Sequence, residues 1–150
     1  MTGALTTNDL TARLLIEIPK HFAGSRVWRR NVGKAVGMDT VAQAVRLIAA
    51  GRVKEGVTLL QSRPLKFGTP GEPDIEGILP IGFCGCWLGV EVKTGRDKMT
   101  EGQVLFRDMI VRAGGIFVEA RDVETALGEI ATAVEEKRLA QDVLPLEPTA

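Results

Sequence analysis

Two short stretches of the chain hold acids and a base in a pattern that can do chemistry. In GEPDIEG, Asp74 follows a proline, and in VEVKTG, Glu91 and Lys93 flank one apolar residue. Two converging carboxylates repel each other unless a cation lies between them, and their hard oxygen atoms suit Mg²⁺ or Mn²⁺. A lysine beside such an ion orients or helps to deprotonate a water, or stabilises charge that builds on a phosphate. If the two stretches meet, the pattern predicts hydrolysis of phosphodiesters.

Each stretch alone also has an ordinary structural explanation. Glu-x-Lys on an exposed strand face is commonly a solvated pair worth little energy, and Pro-Asp is commonly part of a turn. Short patterns of this kind often match by accident. Their order, and the hairpin that we predict for them, favour the catalytic interpretation.

The strands that position these residues follow from the spacing of apolar side chains. In a strand from about 84 to 93, the even positions from 88 to 92 are apolar and the odd ones carry Glu91 and Lys93. Because side chains alternate across a strand, the two charged residues share one face. A second strand begins at Ile75, directly after Asp74, and we expect it to pair with the first as a hairpin.

The first half of the chain predicts two helices and a strand. NDLTARLLIEIPKHF has apolar residues at helical spacing, with Asn8 or Asp9 as its cap. MDTVAQAVRLIAAG is the second helix, with Asp39 or Thr40 as its cap and a glycine at its end. The apolar residues of GVTLL then suggest a strand.

The last third predicts a helix, a strand and a final helix. Thr100 and Gln103 fit the capping-box pattern at the start of the first of these helices. IFVEA is a strand, and Asp122 caps a helix that runs to about Arg138. The order strand, helix, strand predicts a right-handed crossover with parallel strands. We therefore expect an α/β fold in a single domain, with a mixed sheet flanked by helices.

The composition limits the class of protein. The 150 residues are 45% hydrophobic, which suits one compact domain with a real core. The formal net charge is +0, so no overall field announces a polyanionic partner. Cys84 and Cys86 are too close along a strand for an unstrained disulfide, which favours a reduced, intracellular protein. With His21 as the single histidine, zinc lacks ligands.

Neither a signal peptide nor a membrane span is expected. The beginning MTGALTTNDL lacks the basic start and the apolar core of a signal peptide. No apolar run approaches the roughly 20 residues that span a bilayer. We expect a cytoplasmic protein that has no membrane partner.

A basic stretch, SRVWRRNVGKAVG, carries a tryptophan among its cations. Such a segment can hold phosphates electrostatically. The alternative is a solvated surface segment whose tryptophan packs inward. Beside the paired acids, DNA contact is the favoured interpretation. The predicted DNA-contacting cations are Arg26, Arg29, Arg30, Lys34 and Lys66.

Together, GTPGEPDIEGILP and GVEVKTGRDKMTEGQ resemble the PD-(D/E)xK nuclease motif. More narrowly they resemble the VRR-NUC family, the virus-type replication-repair nucleases. The resemblance extends from the first helix through VWRRNVGKA to AGGIFVEARDVETAL. It implies a restriction-endonuclease-like fold over residues 1–140, with an insertion at about 37–60 and a loose tail at 141–150.

The resemblance also implies roles for individual residues. Asp74 and Glu91 are similar to the metal-binding acids, and the carbonyl of Val92 to a further metal ligand. Lys93 resembles the catalytic lysine. Gln103 is similar to a glutamine that reaches back to the site, although its place in a capping box explains it equally well.

Many relatives also place an acid in the first helix, where Asp9 and Glu17 are the candidates. The implied function is Mg²⁺- or Mn²⁺-dependent cleavage of branched DNA, with four-way (Holliday) junctions resolved by a homodimer. Flap or splayed-arm cleavage and a non-catalytic DNA-binding module are the alternatives. The implied setting is the cytoplasm of a bacterial or phage-infected host cell, and no small-molecule cofactor is expected.

Overall fold

The computed structural model of the protein describes residues 6–30, 33–62 and 64–143, with the backbone alone for 33–36, 64–67 and 142–143. Those residues form five helices and six strands. In chain order they are α1 (Thr7–His21), β1 (Arg26–Arg29), β2 (Gly33–Val36), α2 (Met38–Ala49), α3 (Val53–Ser62), β3 (Pro64–Phe67), β4 (Ile75–Ile81), β5 (Cys84–Val92), α4 (Glu101–Arg112), β6 (Ile116–Ala120) and α5 (Val123–Val143). No helix within these ranges is long and apolar enough to cross a membrane.

The chain divides into two compact units. One joins the part up to Arg30 with the part from Pro70 onward, and it holds α1, α4, α5 and the strands β1, β4, β5 and β6. The other, Asn31–Thr69, holds the antiparallel strands β2 and β3 and the helix pair α2 and α3. The segment 37–60, which we predicted to be an insertion, lies inside this second unit.

A four-stranded mixed sheet in the order β1-β4-β5-β6 is the frame of the first unit. β4 pairs antiparallel with β1 and with β5, whereas β5 pairs parallel with β6. α4 connects the two parallel strands, as expected for a crossover. The predicted mixed α/β class, the β4–β5 hairpin and the parallel last strand are therefore confirmed.

One face of this sheet is the apolar core. Val90 and Val92 of β5 are buried there, together with Ile75 of β4. The helices α1 and α5 cover this face with side chains such as Leu14 and Ile130, which are fully buried. Every second residue of the strands packs against residues of the helices that recur at helical spacing. The apolar residues that predicted these strands and helices from the sequence are therefore the ones that form the core.

The other face of the sheet carries the charged residues of β5. Trp87 and Gly89 alternate with the core positions and share this face with Glu91 and Lys93. α4 packs on it through Phe106, whose ring centroid lies 6.2 Å from that of Trp87. α4 and the α1–α5 pair therefore lie on opposite sides of the sheet.

The helix caps correct two of the sequence-based assignments. Thr6 caps α1, not Asn8 or Asp9. Its hydroxyl accepts a hydrogen bond from the N–H of Asp9, and the Asp9 carboxylate accepts one from the N–H of Thr6. Asp9 occupies the third position of a capping box, which an acid fills as well as the cap itself. α2 begins after Gly37 with no side-chain cap, so neither predicted cap of that helix serves.

The strand predicted from GVTLL is wrong, because those residues lie in the helix α3. Gly56 of α3 is buried against α2, where an added Cβ would come within 2.6 Å of Ile48 and 2.9 Å of the Ala44 carbonyl oxygen. The close approach of two helices, available only through this glycine, overrides the local β propensity.

The final helix, α5, is longer than predicted. It begins after Asp122, whose carboxylate accepts from the N–H of Thr125 as expected of a cap. It continues past Arg138 to Val143, so residues 141–143 of the predicted loose tail are helical. Residues 144–150 of that tail lie outside the described part of the chain.

Gly89 provides a test of the charged sheet face. An alanine Cβ there would lie 2.5 Å from the nearest ring atom of Trp87 and 3.1 Å from Phe117. We expect Gly89→Ala to lower the free energy of unfolding by about 1–3 kcal/mol through overpacking. Urea unfolding of the purified protein measures this.

Gly128→Ala is the matched control, since nothing lies within 4 Å of an added Cβ at that position in α5. It should leave stability unchanged or raise it by up to about 1 kcal/mol, because alanine favours a helix interior. Equal stability of Gly89→Ala and the wild type would contradict the packing of the Trp87 ring over Gly89.

Candidate active site

The two acidic stretches meet where β4 begins and β5 ends. Ile75 lies opposite Val90 in the antiparallel register, so the next pair outward places Asp74 across from Glu91. Directly opposed residues point to the same face of a sheet. The hairpin thus brings both carboxylates together on the charged face, and the approach predicted from the sequence is confirmed as geometry.

Lys93 and Gln103 complete a network around Glu91. Lys93 Nζ lies 2.8 Å from Glu91 Oε1 and donates to Gln103 Oε1 at 3.0 Å. Gln103 Nε2 donates to the same Glu91 oxygen at 2.5 Å. The amide of one side chain therefore contacts both members of the Glu-x-Lys pair.

Gln103 also fills the predicted capping box at the start of α4. Its Oε1 accepts from the N–H of Thr100 at 2.8 Å, while the Thr100 hydroxyl accepts from the N–H of Gln103. The two explanations that the sequence left open for Gln103 are thus compatible. One side chain begins the helix and contacts the acid–lysine pair, so the cap fixes the position of the amide.

Glu91 is deeply buried, with 3% of its surface exposed. Its Oε1 has two partners, but its Oε2 is buried without a hydrogen-bond partner. Burial raises the pKa of the Glu91 carboxyl and the Asp74 charge raises it further, whereas Lys93 and Gln103 lower it. An unpaired buried carboxylate oxygen is costly. A cation beside it would remove that cost.

The backbone of Val92 points towards Asp74. Its N–H donates to Asp74 Oδ2 at 2.9 Å, and in a strand the C=O of a residue points to the same neighbour as its N–H. Continuing the register from the Ile75–Val90 pair places Pro73 opposite Val92. Because proline has no N–H, residue 73 offers no donor to the Val92 carbonyl. That oxygen faces the same edge as the acids.

The donors at this edge are two carboxylates and one carbonyl, all of them oxygen. In the described residues, no three His, Cys, Asp or Glu side chains lie close enough to form a metal-binding group by themselves. Mg²⁺ usually retains several waters and takes only one or two protein carboxylates. Asp74, Glu91 and the Val92 carbonyl therefore fit Mg²⁺ or Mn²⁺. The oxygen most available to an ion is Oε2 of Glu91, which has no hydrogen-bond partner.

Neither candidate acid of the first helix is grouped with these donors. Asp9 is engaged by Thr6 in the capping box, and Glu17 pairs with Lys20 at 2.7 Å. α1 nevertheless begins near the site, because the hydroxyl of Thr7 lies 3.2 Å from that of Thr94, just after β5.

Arg30 holds the segment that carries Asp74. Its N–H donates to the Asp74 carbonyl at 2.8 Å, and its guanidinium donates to both carboxylate oxygens of Glu72 at 2.9 and 3.1 Å. Its Nε also lies 3.5 Å from the largely buried Glu76. We predicted Arg30 as a phosphate contact, but these bonds make it a positioning residue for the Glu72–Asp74 segment.

The other predicted DNA-contacting cations are placed differently. Arg26 is exposed on β1, and Arg29 is exposed while donating to Asn8 at 2.6 Å. Lys34 and Lys66 are backbone partners across β2 and β3 in the second unit, but their side chains lie outside the described part of the structure.

Sequence reasoning missed two supports of the site. Glu76 has the same parity as Asp74 in GEPDIEG, which is a signal that could have placed it on the charged face. Arg121 pairs with Glu119 and donates to the carbonyls of Gly95 at 3.1 Å and Asp97 at 2.6 Å, which fixes the loop after Lys93. No local pattern indicates the long-range contacts of Arg121.

The pKa of Glu91 tests this network without any assumption about function. Asp74→Asn should lower that pKa because a nearby negative charge is removed, and Lys93→Met should raise it because a hydrogen bond and a positive charge are lost. Carboxyl ¹³C NMR over a pH series measures both, with Glu91 assigned by its absence in Glu91→Gln. The exposed Glu135 is the control and should titrate identically in all variants.

The raised pKa of Glu91 also determines in which direction stability changes with pH. The folded protein holds the Glu91 proton more tightly than the unfolded chain, so folding gains stability as the pH falls towards 4.5. That contribution is lost as the pH rises through the folded pKa, and Lys93→Met should enlarge the loss. If Asp74→Asn and Lys93→Met moved the Glu91 pKa in the same direction, that result would contradict the opposite effects of the Asp74 and Lys93 charges on Glu91.

Comparison with known proteins gives no support for or against a function at this site. The chain has no significant match among protein-family models, curated proteins or solved structures. The functional interpretation therefore depends on the residues themselves, above all on the acids and the lysine at the β4–β5 edge.

Proposed function

We propose that this protein is a divalent-metal-dependent endonuclease that hydrolyses phosphodiester bonds in branched DNA. The observation that carries the proposal is the buried, partnerless Oε2 of Glu91 beside Asp74, with Lys93 Nζ 2.8 Å from the other oxygen of the same carboxylate. Two acids and an ammonium at one edge form an unfavourable arrangement for stability alone. They suit a site that takes a metal and a phosphate.

The residues that would hold the ion are Asp74, Glu91 and the carbonyl of Val92. A bound Mg²⁺ supplies Lewis-acid chemistry, since it polarises a phosphate and promotes deprotonation of a water. The buried position of Glu91 keeps its carboxylate away from bulk water, which strengthens its attraction for a cation. Arg30 fixes the backbone of Asp74, and so the spacing of the two acids.

Lys93 would act on the phosphate or on the attacking water. An ammonium has three N–H donors, and two of those of Lys93 point to Glu91 and Gln103. The third can donate to an oxygen on which negative charge develops. Because the two existing bonds fix the direction of the side chain, little reorganisation accompanies that step.

We also propose that the main sheet is of the restriction-endonuclease type and that the chain is a VRR-NUC-like member of the PD-(D/E)xK nucleases. The antiparallel β4–β5 hairpin and the crossover to β6 support this, because Asp74 directly precedes one central strand, β4, and Glu91 lies near the end of the other, β5. The PD stretch directly precedes β4 and the ExK stretch spans the end of β5, in the order that the motif has.

Four-way junctions are the branched substrate that the family resemblance implies, and resolving one needs two symmetric cuts. A two-fold dimer would supply two copies of the site. The second unit offers apolar side chains for such contact: Val45 of α2 is 58% exposed, and Val57 of α3 is 41% exposed. We assign the dimer surface to α2 and α3.

The first test of this function is cleavage by single-site variants. Asp74→Ala, Glu91→Ala and Lys93→Ala should each reduce Mg²⁺-dependent cutting of labelled DNA by about 100-fold or more, because each removes charge stabilisation from the reacting phosphate. Glu135→Ala is the matched control, since its carboxylate is in an exposed ion pair. Calorimetric titration with Mn²⁺ should show weaker binding in the two acid variants and retained binding in Lys93→Ala.

Substrate choice is measured with hairpin, flap, splayed-arm and four-way DNAs, with and without Mg²⁺. Paired nicks on a cruciform, together with a dimer mass by light scattering, are the results expected for junction resolution. Full cutting by Glu91→Ala, free of contaminating nuclease, would overturn the site. Specific DNA binding without cutting by the wild type would favour the non-catalytic alternative.

The second test separates the arginines of the basic stretch. Arg26→Ala with Arg29→Ala should weaken DNA binding and reduce the salt dependence of log K by about 2, because each phosphate contact contributes about 0.9 to that slope. Arg30→Ala should preserve the slope and reduce cutting, since its guanidinium is already paired with the carboxylate of Glu72.

Binding curves at several salt concentrations provide the slopes for both variants. A reduced slope in Arg30→Ala would restore Arg30 to the DNA surface. An unchanged slope in the double variant would make Arg26 and Arg29 ordinary solvated charges.

A further inference from the structure

Trp28 lies on the sheet face that carries the acids. It is opposite Glu76 in the β1–β4 register, and Asp74 is two residues before Glu76 on the same face. This places Trp28 about 7 Å along β4 and one strand spacing of about 5 Å across from Asp74. The aromatic ring is thus a near neighbour of the proposed scissile phosphate.

The ring is not packed inward. Trp28 is 41% exposed, which contradicts the alternative of an inward-packed tryptophan in the basic stretch. β1 is at one edge of the sheet, and α4, which covers the same face, packs mainly on β5 and β6. No helix of the first unit, within the residues described, rests on the β1–β4 part of this face.

Trp28 is continuous with further exposed apolar surface. Ile78, the next β4 residue on this face after Glu76, is 48% exposed. Beyond it lies an open hollow of about 390 Å³ whose walls include Arg26, Ile78, Pro80 and Phe83. A hollow of this size is in the range of small-ligand sites and has a cation at its rim.

The charges around Trp28 select the part of DNA that fits. Glu76 lies opposite the ring and Glu72 is close by, and the guanidinium of Arg30 pairs with both. Two carboxylates against one guanidinium leave a net negative charge beside Trp28, which does not attract a phosphate to the ring. A nucleobase is neutral and has a flat face that stacks on an aromatic ring. Arg26, exposed on the same strand, can bind the phosphate that follows such a base.

We propose that Trp28 and Ile78 form a stacking platform for one unpaired nucleobase of the DNA, so that the preferred substrate has a single-stranded arm beside the scissile bond. The inference rests on the proposed nuclease function, and among branched DNAs it favours a flap or splayed arm over the fully paired four-way junction. Bases in a duplex are already stacked on both faces, so a fully paired DNA cannot present one to the platform. A flap or splayed arm can.

The test measures binding in EDTA, where no cutting occurs. Trp28→Ala should lower the affinity for a splayed-arm DNA by about 5- to 100-fold, the range expected for loss of one base stack, and leave the affinity for a fully paired duplex of equal length unchanged. Trp28→Phe should retain most of the affinity. Leu139→Ala is the control, because it removes an exposed apolar side chain from α5 on the other side of the sheet.

Intrinsic fluorescence gives an independent measurement. The chain has two tryptophans. Splayed-arm DNA should quench the wild-type emission, and the quenching should disappear in Trp28→Phe, which retains Trp87. Duplex DNA should leave the emission unchanged.

The outcomes separate this inference from the nuclease proposal. Equal loss of affinity for both DNAs in Trp28→Ala, or quenching that persists in Trp28→Phe, would overturn the platform. Mg²⁺-dependent cutting with no effect of either Trp28 variant would overturn it while the nuclease stands. Selective loss and quenching in a protein that cuts no DNA would support the platform and overturn the nuclease.

Discussion

The buried carboxylate of Glu91 is the constraint on which this unit depends. A charge removed from water needs partners, and the main chain around β5 supplies none to its Oε2. Lys93 and Gln103 stabilise one oxygen only, and the neighbouring charge of Asp74 opposes ionisation. The site therefore has a cost in folding stability that the apolar core on the other face of the sheet must offset. A cation would relieve both the repulsion between the acids and the unpaired oxygen.

Several contacts elsewhere in the first unit follow from holding these charges in place. Gln103 links the start of α4 to Glu91, so the crossover helix cannot shift without breaking its own cap. Arg30 ties β1 to the segment before β4 through both its backbone and its guanidinium. Arg121 fixes the loop that follows Lys93. Each contact joins the site to a different strand or helix, which makes the arrangement of the acids a property of the whole sheet.

The division of the sheet into two faces explains how one small unit combines stability with reactivity. α1 and α5 cover the core of the apolar face, whereas α4 covers only part of the charged face. Exposed Trp28 and Ile78 remain beside the acids. The apolar surface of Trp28 and Ile78 suits a nucleobase better than a phosphate. The acids, with a bound cation, suit a phosphate, so the two parts of this face favour different parts of one substrate.

The sequence alone determined the features that depend on local periodicity and local hydrogen bonds. Alternation gave β5 its charged face, Thr100 and Gln103 indicated a cap, and the PD and ExK stretches predicted which acids meet. Tertiary structure decided which distant groups these residues contact. Arg30 pairs with Glu72, Trp28 is exposed, and GVTLL is helical because Gly56 packs closely on α2. The physical reason is that periodicity and caps are set by neighbours in the chain, whereas burial and ion pairing are set by strand register and helix packing.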